Sequence, residues 1–146
     1  MEQHVRFTDA ALKEIISRTQ GYPYFLQEWG YQAWNLAARS PIDVDTIEQT
    51  TQESTRRLDA NFFRVRFDRL TPREKEYLRA LADLGEGSQR SGDIAEHLGV
   101  KVQSVAPVRN SLIKKGMIYS PAHGDTAFTV PLFGDFMKRI MPRDRE

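Results

Sequence analysis

One stretch of the chain combines cations and hydrogen-bonding side chains with no carboxylate. From Lys101 to Gly116 it carries Lys101, Arg109, Lys114 and Lys115 and no acidic residue. Gln103, Ser104 and Ser111 are interleaved with them. Amides and hydroxyls make hydrogen bonds to base edges and phosphates, and lysine ammonium groups pair with phosphate. Lys101, Gln103, Ser104, Ser111, Lys114 and Lys115 are therefore the candidate DNA-binding residues. Catalytic chemistry finds no comparable set. His4, His97 and His123 are far apart and lack metal-ligand spacing, so no metal site is expected. The serines lack a nucleophile-elbow context. Asp43-Val44-Asp45 falls in a helix start, where carboxylates favour the helix dipole. No G-x-x-x-x-G-K-[ST] loop cradles phosphates and no acidic pair of the Walker B kind is evident.

The elements that must position the cationic run read as helix, turn, helix and wing. Ser91-Gly92-Asp93-Ile94-Ala95-Glu96-His97-Leu98-Gly99 forms the first helix, with Ile94, Ala95 and Leu98 inward and Gly99 allowing the sharp turn. Val105, Val108 and Leu112 line the inward face of the second. The opposite face carries Gln103, Ser104, Pro107, Ser111 and Lys114. Pro107 removes one backbone bond to Gln103. Met117–Tyr119 and Ala127–Val130 read as strands joined through Pro121-Ala122-His123-Gly124-Asp125. This order presents one helix to a partner, most often the major groove of DNA. The wing tip has no Lys or Arg for a minor groove. With Pro107, that keeps a second reading open, a winged helix used as a protein-interaction or autoinhibitory docking module.

Thr71-Pro72-Arg73-Glu74 predicts a helix start with a capping box, and Tyr77, Leu78, Leu81 and Leu84 supply its apolar face. A domain boundary is expected near Leu70. Upstream, Thr8 caps a helix bearing Leu12, Ile15 and Ile16, which Gly21 ends. Pro23 opens a second helix with Phe25, Leu26, Trp29, Ala33, Leu36 and Ala37 on one stripe, stopped by Ser40-Pro41. Asp43 caps a third, with Val44, Ile47 and Leu58 apolar and a break or bend expected near Ala60-Asn61. Tyr24, Tyr31 and Trp34 fall on another face of the second helix. Either that helix is buried on two sides, or the rings form a patch that invites self-association. Pro131 starts a last helix with Phe133, Phe136, Met137 and Ile140 at helical spacing. The expected fold is mainly α, with a helical bundle over residues 1–70 and a winged helix-turn-helix domain over 71–146.

Composition bounds the rest. With 146 residues, 40% hydrophobic and 28% charged, the chain suits one domain or two small globular ones. Cysteine is absent, which excludes disulfides and thiolate metal sites. No apolar run approaches the roughly 20 residues that span a bilayer. The start Met1-Glu2-Gln3-His4-Val5-Arg6 has no signal-peptide core, so a cytoplasmic location and no membrane partner are expected. The formal net charge of +1 confines any electrostatic footprint to the local cationic run.

On these motifs the C-terminal half resembles the winged-helix domain that ends many bacterial and archaeal AAA+ or STAND-type ATPases. The resemblance rests on Leu70-Thr71-Pro72-Arg73-Glu74, Ser91-Gly92-Asp93-Ile94-Ala95, Pro107-Val108-Arg109, Leu112-Ile113-Lys114-Lys115-Gly116 and Phe128-Thr129-Val130-Pro131. The N-terminal half is similar to the α-helical lid of the same ATPases through Gly21-Tyr22-Pro23-Tyr24-Phe25-Leu26. The resemblance implies a lid-like bundle in which Gly21, Tyr22 and Pro23 meet the adenine of bound nucleotide in a full-length parent. Tyr24 stands where many such lids carry a sensing arginine. It further implies a non-catalytic C-terminal fragment with no cofactor of its own, ATP and Mg²⁺ being bound by the parent. The implied partners are double-stranded DNA and the ATPase core of the same polypeptide, with nucleotide state repositioning the lid and the lid carrying the winged helix.

Overall fold

The computed structural model describes residues 6–37 and 40–143. They fall into two compact units, one up to Arg64 and one from Val65.

In the first unit, helix α1 (Asp9–Thr19) starts where the Thr8 hydroxyl accepts a bond from the Ala11 N–H at 3.1 Å. It ends where Gln20 and Gly21 turn left-handed, with φ of 53° and 74°. Gly21 stands where the sequence places it because glycine adopts that conformation without penalty. Helix α2 (Pro23–Leu36) follows with Pro23 in its first turn. Helix α3 (Val44–Leu58) is capped by Asp43, whose carboxylate accepts from the Thr46 N–H at 3.0 Å. A one-residue parallel bridge pairs Phe7 with Ile42, and the Ser40–Pro41 peptide beside it is cis. The core centres on Phe25, whose ring lies 4.7 to 6.5 Å from those of Tyr22, Tyr24, Trp29, Phe62 and Phe63. Trp29 is buried and its indole N–H donates to the Thr51 hydroxyl at 3.1 Å.

Two expectations are corrected here. Helix α1 buries the line Ala11, Ile15, Thr19 and leaves Leu12 and Ile16 exposed. Leu36 at the end of the α2 stripe is exposed as well. The irregularity expected near Ala60-Asn61 takes the form of a π-helical stretch, Asp59–Phe63, closed by the Arg64 N–H donating to the Asp59 carbonyl. The extra residue per turn re-phases the backbone, and adjacent Phe62 and Phe63 are both buried. Helix α4 (Arg64–Phe67) follows.

In the second unit, helix α5 (Pro72–Asp83) begins with the predicted capping box. The Thr71 hydroxyl accepts from the Glu74 N–H at 3.2 Å, and the Glu74 carboxylate accepts from the Thr71 N–H at 2.8 Å. Strand β1 (Gln89–Arg90), helix α6 (Ser91–Leu98), helix α7 (Val102–Lys114), strands β2 (Ile118–Tyr119) and β3 (Asp125–Phe128), and helix α8 (Phe133–Ile140) complete it. The sheet is antiparallel in the order β1-β3-β2, pairing Gln89 with Thr126 and Ile118 with Phe128. This is a winged helix-turn-helix, and the chain as a whole is mainly α with one small sheet. Strand β3 starts earlier than the predicted Ala127–Val130, and α8 begins at Phe133 rather than Pro131. Helix α8 buries Phe133, Phe136 and Met137 on one face, with Ile140 half-buried.

Two glycines test this packing in opposite directions. At Gly134 a Cβ would stand 3.2 Å from the Phe128 ring and 3.6 Å from Ala82, so Gly134→Leu should lose about 1–3 kcal/mol of stability by overpacking. Gly30, inside α2, has nothing within 4 Å of that position. Gly30→Ala should gain roughly 0.5–1 kcal/mol from helix propensity. Urea unfolding of both variants measures each shift.

Candidate nucleic-acid interface

Gly99, left-handed at φ 71°, reverses the chain after α6, with the Val100 N–H donating to the Ala95 carbonyl at 3.0 Å. Helix α7 then runs across the unit with Lys101 at its N-cap position. Val105 and Leu112 are buried and Val108 is half-buried, which fixes the rotation of the helix. The opposite face exposes Gln103, Ala106, Pro107, Asn110 and Lys114. The side chains of Lys101, Gln103, Asn110 and Lys114 make no hydrogen bond or ion pair among the described residues. Asn110 is absent from the sequence-derived set. Its spacing of seven from Gln103 and four from Lys114 places all three on one helical stripe, and that spacing was the available signal.

The flank of α7 facing α5 is occupied differently. The buried Glu74 carboxylate, 2% exposed, accepts from the Ser111 hydroxyl at 2.8 Å and the Lys115 ammonium at 2.6 Å. Lys115 also donates to the Arg69 carbonyl at 3.0 Å. Ser111, half-buried, and Lys115, exposed, thus both meet the Glu74 carboxylate. Lys115 follows Lys114 by one residue, about 100° around the helix, and meets a carboxylate there. Ser104 sits at the rim, its hydroxyl donating back to the Lys101 carbonyl at 2.7 Å.

Arg109, the remaining cation of the run, donates to the Thr126 hydroxyl at 2.9 Å and the Asp125 carbonyl at 3.1 Å. Thr126 is fully buried and also lies 3.2 Å from the Ser91 hydroxyl, so this knot ties α7, α6 and the wing. At the wing tip Ala122, His123 and Gly124 are exposed. Val100, Val102, Ile113 and Tyr119 are exposed apolar residues of the same unit.

The other candidates are placed as follows. His97 pairs with Asp83 at 3.0 Å, and Asp83 also meets Arg79 and, at 2.8 Å, Arg143. Burial pushes the Asp83 carboxyl up, but His97, Arg79 and Arg143 outweigh it and hold it below its usual range. This is a structural cluster. His123 is exposed, and His4 lies outside the described residues. Among the described residues no group of three or more His, Asp or Glu could hold a metal, and no helix is long and apolar enough to cross a membrane. In the first unit, Gly21, Tyr22 and Pro23 form the turn into α2, with Gly21 and Pro23 exposed and the Tyr22 ring 4.7 Å from Phe25. On the second face of α2, Tyr24, Tyr31 and Trp34 are 51%, 62% and 46% exposed, an open stripe rather than a second buried face.

Glu74 sets an acid-sensitive term for this site. Burial pushes its carboxyl up, yet Lys115, the Thr71 N–H and the Ser111 hydroxyl outweigh that and hold it down at about 2 from an ordinary 4.5. A carboxyl depressed in the folded state stabilises above the unfolded value. The contribution, about 3 kcal/mol, should vanish as pH falls from 4.5 toward 2. Glu74→Gln should lose about that much at neutral pH and flatten the acid limb of a urea-unfolding series over the same window. An unchanged acid limb in the variant would contradict the assignment.

Comparison with known proteins adds three findings. The chain is 24% identical over 127 residues to an uncharacterized HTH-type transcriptional regulator of Methanocaldococcus jannaschii. That match takes in 87% of this chain and 31% of the regulator, so the chain spans about a third of the length of that curated relative. The RuvB Holliday junction branch migration motor of Thermotoga maritima superposes with a TM-score of 0.39 at 15% identity, over 97% of this chain and 44% of that one. A second structure of that RuvB gives 0.37 at 17% identity, over 84% and 40%. Residues 60–137, more than half of the chain, match the family described as Domain of unknown function (DUF8462). This chain is therefore a member of the DUF8462 family.

Proposed function

We propose that the winged helix binds double-stranded DNA with α7 in the major groove, as the output arm of a larger ATPase of the AAA+ or STAND type. The observation that carries the DNA reading is the exposed stripe of α7. It sets the uncommitted groups of Gln103, Asn110 and Lys114 on one face, with Lys101 at the helix start and no carboxylate among them. Lys101 and Lys114 stand at opposite ends of the helix, about 20 Å apart, so each ammonium group would meet phosphates at one end of the groove segment that α7 follows. The likeness to an HTH-type transcriptional regulator supports the same reading.

The ATPase half of the proposal rests on the lid and winged-helix resemblances. Gly21, Tyr22 and Pro23 offer a backbone turn and a ring but no cation, which suits a base and not a phosphate. In a full-length parent they would meet the adenine, and the residues holding phosphates and Mg²⁺ would come from the ATPase core. This chain alone is not expected to hydrolyse ATP. A change in the setting of the helical unit would carry the winged helix with it.

A second reading, docking on a protein partner or on the ATPase core, is favoured by exposed Val100, Val102, Ile113 and Tyr119 and by a wing tip without Lys or Arg.

Anisotropy titration of a labelled duplex at about 50 and about 200 mM salt separates the two. DNA binding should weaken with salt, and Lys101→Ala and Lys114→Ala should each lower the log–log slope by roughly 1. Lys115→Ala should leave the slope alone and lower folding stability instead, because its ammonium serves Glu74. Absent or salt-insensitive binding overturns the DNA reading and leaves the docking module.

A further inference from the structure

We infer that α7 reads A·T base pairs, with Gln103 and Asn110 as the specificity-determining residues. The inference rests on the DNA reading above and deepens it. In the major groove an amide side chain matches adenine, donating to N7 and accepting from the N6 amino group, whereas guanine is matched by a guanidinium or ammonium group. The exposed stripe of α7 offers two amides between its lysines, Gln103 in the first turn and Asn110 two turns on, and no guanidinium. The helix's one arginine, Arg109, is turned into the Thr126–Asp125 knot. Its lysines stand at the two ends, where they meet phosphates. No carboxylate lies on the stripe to accept from the cytosine amino group.

Spacing agrees with this. Gln103 and Asn110 are seven residues and two turns apart, about 10 Å along the axis, close to three base-pair steps of about 3.4 Å. Between them Ala106 and Pro107 are exposed, presenting a methyl group and ring methylenes. Apolar surface at that place matches the thymine C5-methyl, the one apolar group in the major groove. Pro107, a defect if only polar readout is counted, thus supplies the contact the stripe otherwise lacks. Its missing N–H costs one helical bond and leaves no orphan donor facing the bases.

The test uses the whole chain and four duplexes of equal length at one salt concentration, made of A·T, A·U, G·C and inosine·cytosine pairs. Inosine·cytosine shows an A·T-like minor groove and a G·C-like major groove. The expected order is A·T tightest, with G·C and inosine·cytosine weaker by roughly a hundredfold, about tenfold for each amide. Replacing thymine by uracil should weaken binding a few-fold, through loss of the methyl contact. Gln103→Ala and Asn110→Ala should each shrink the preference by roughly tenfold while leaving G·C affinity and the salt slope unchanged. If inosine·cytosine binds as tightly as A·T, the minor groove is being read and the inference fails. It also fails if both amide variants keep the full preference. Equal, salt-dependent binding to all duplexes overturns the inference and leaves the DNA reading standing. Failure to bind any of them in a salt-dependent way overturns both.

Discussion

The winged helix depends on one buried carboxylate. Glu74 is sequestered from water, and a carboxylate in that position is tolerated only when its oxygens are filled by strong donors. The Thr71 N–H comes from its own helix start, and Ser111 and Lys115 come from α7. The same group therefore starts α5 and ties α7 to it. Buried Val105 and Leu112 turn one flank of α7, with Ser111 and Lys115, toward Glu74 and leave Gln103, Pro107, Asn110 and Lys114 on the outer face. The Glu74 contacts reinforce that setting of the candidate interface. Loss of its charge would loosen the presenting helix before it touched any DNA-facing group.

Arg109 plays the complementary part at the other flank. Its guanidinium reaches both the Thr126 hydroxyl and the Asp125 carbonyl, and Thr126 in turn lies beside Ser91 at the start of α6. A planar fork with several donors suits a site where it must satisfy a hydroxyl and a carbonyl together. This use has a functional cost, since it removes an arginine from the outer surface of α7. The four cations of the Lys101–Gly116 run thus divide evenly. Among the described residues the Lys101 and Lys114 side chains make no ion pair, while Arg109 and Lys115 hold the scaffold.

Features that depend on neighbours in sequence were legible without the structure. The Thr71–Glu74 capping box, the Thr8 and Asp43 caps, Pro23 in a first turn and left-handed Gly99 all follow from the chemistry of a few adjacent residues. What depends on distant partners was not. Lys114 and Lys115 are chemically identical neighbours, and only a carboxylate 41 residues upstream distinguishes them. Leu12 and Ile16 are as apolar as Ile15, and only the packing of α1 selects the line through Ala11 and Thr19. An irregularity near Ala60-Asn61 is expected from sequence, but its π-helical form, with adjacent Phe62 and Phe63 both buried, has no local marker. Strand β1 is two residues long, below any periodicity, and exists through its pairing with β3. Asn110 is the opposite case, since its spacing from Gln103 and Lys114 places it on the exposed stripe without any distant partner.

The small number of outward cations bears on how the module would work. Non-specific affinity for a duplex grows with the number of phosphates neutralised, and two lysines neutralise few. A helix that relies on amides and apolar contacts gains selectivity per base pair while holding DNA weakly. Weak, selective contact suits a reader kept near its target by another part of the same assembly, where local concentration replaces intrinsic affinity. The first unit fits such an arrangement. Its core is built around Phe25 and Trp29, with Tyr24 half-exposed at the edge against Phe62, and α2 leaves Tyr31 and Trp34 exposed beyond it. In the proposed assembly, exposed rings on one helix face give the first unit apolar surface with which to meet another part of it.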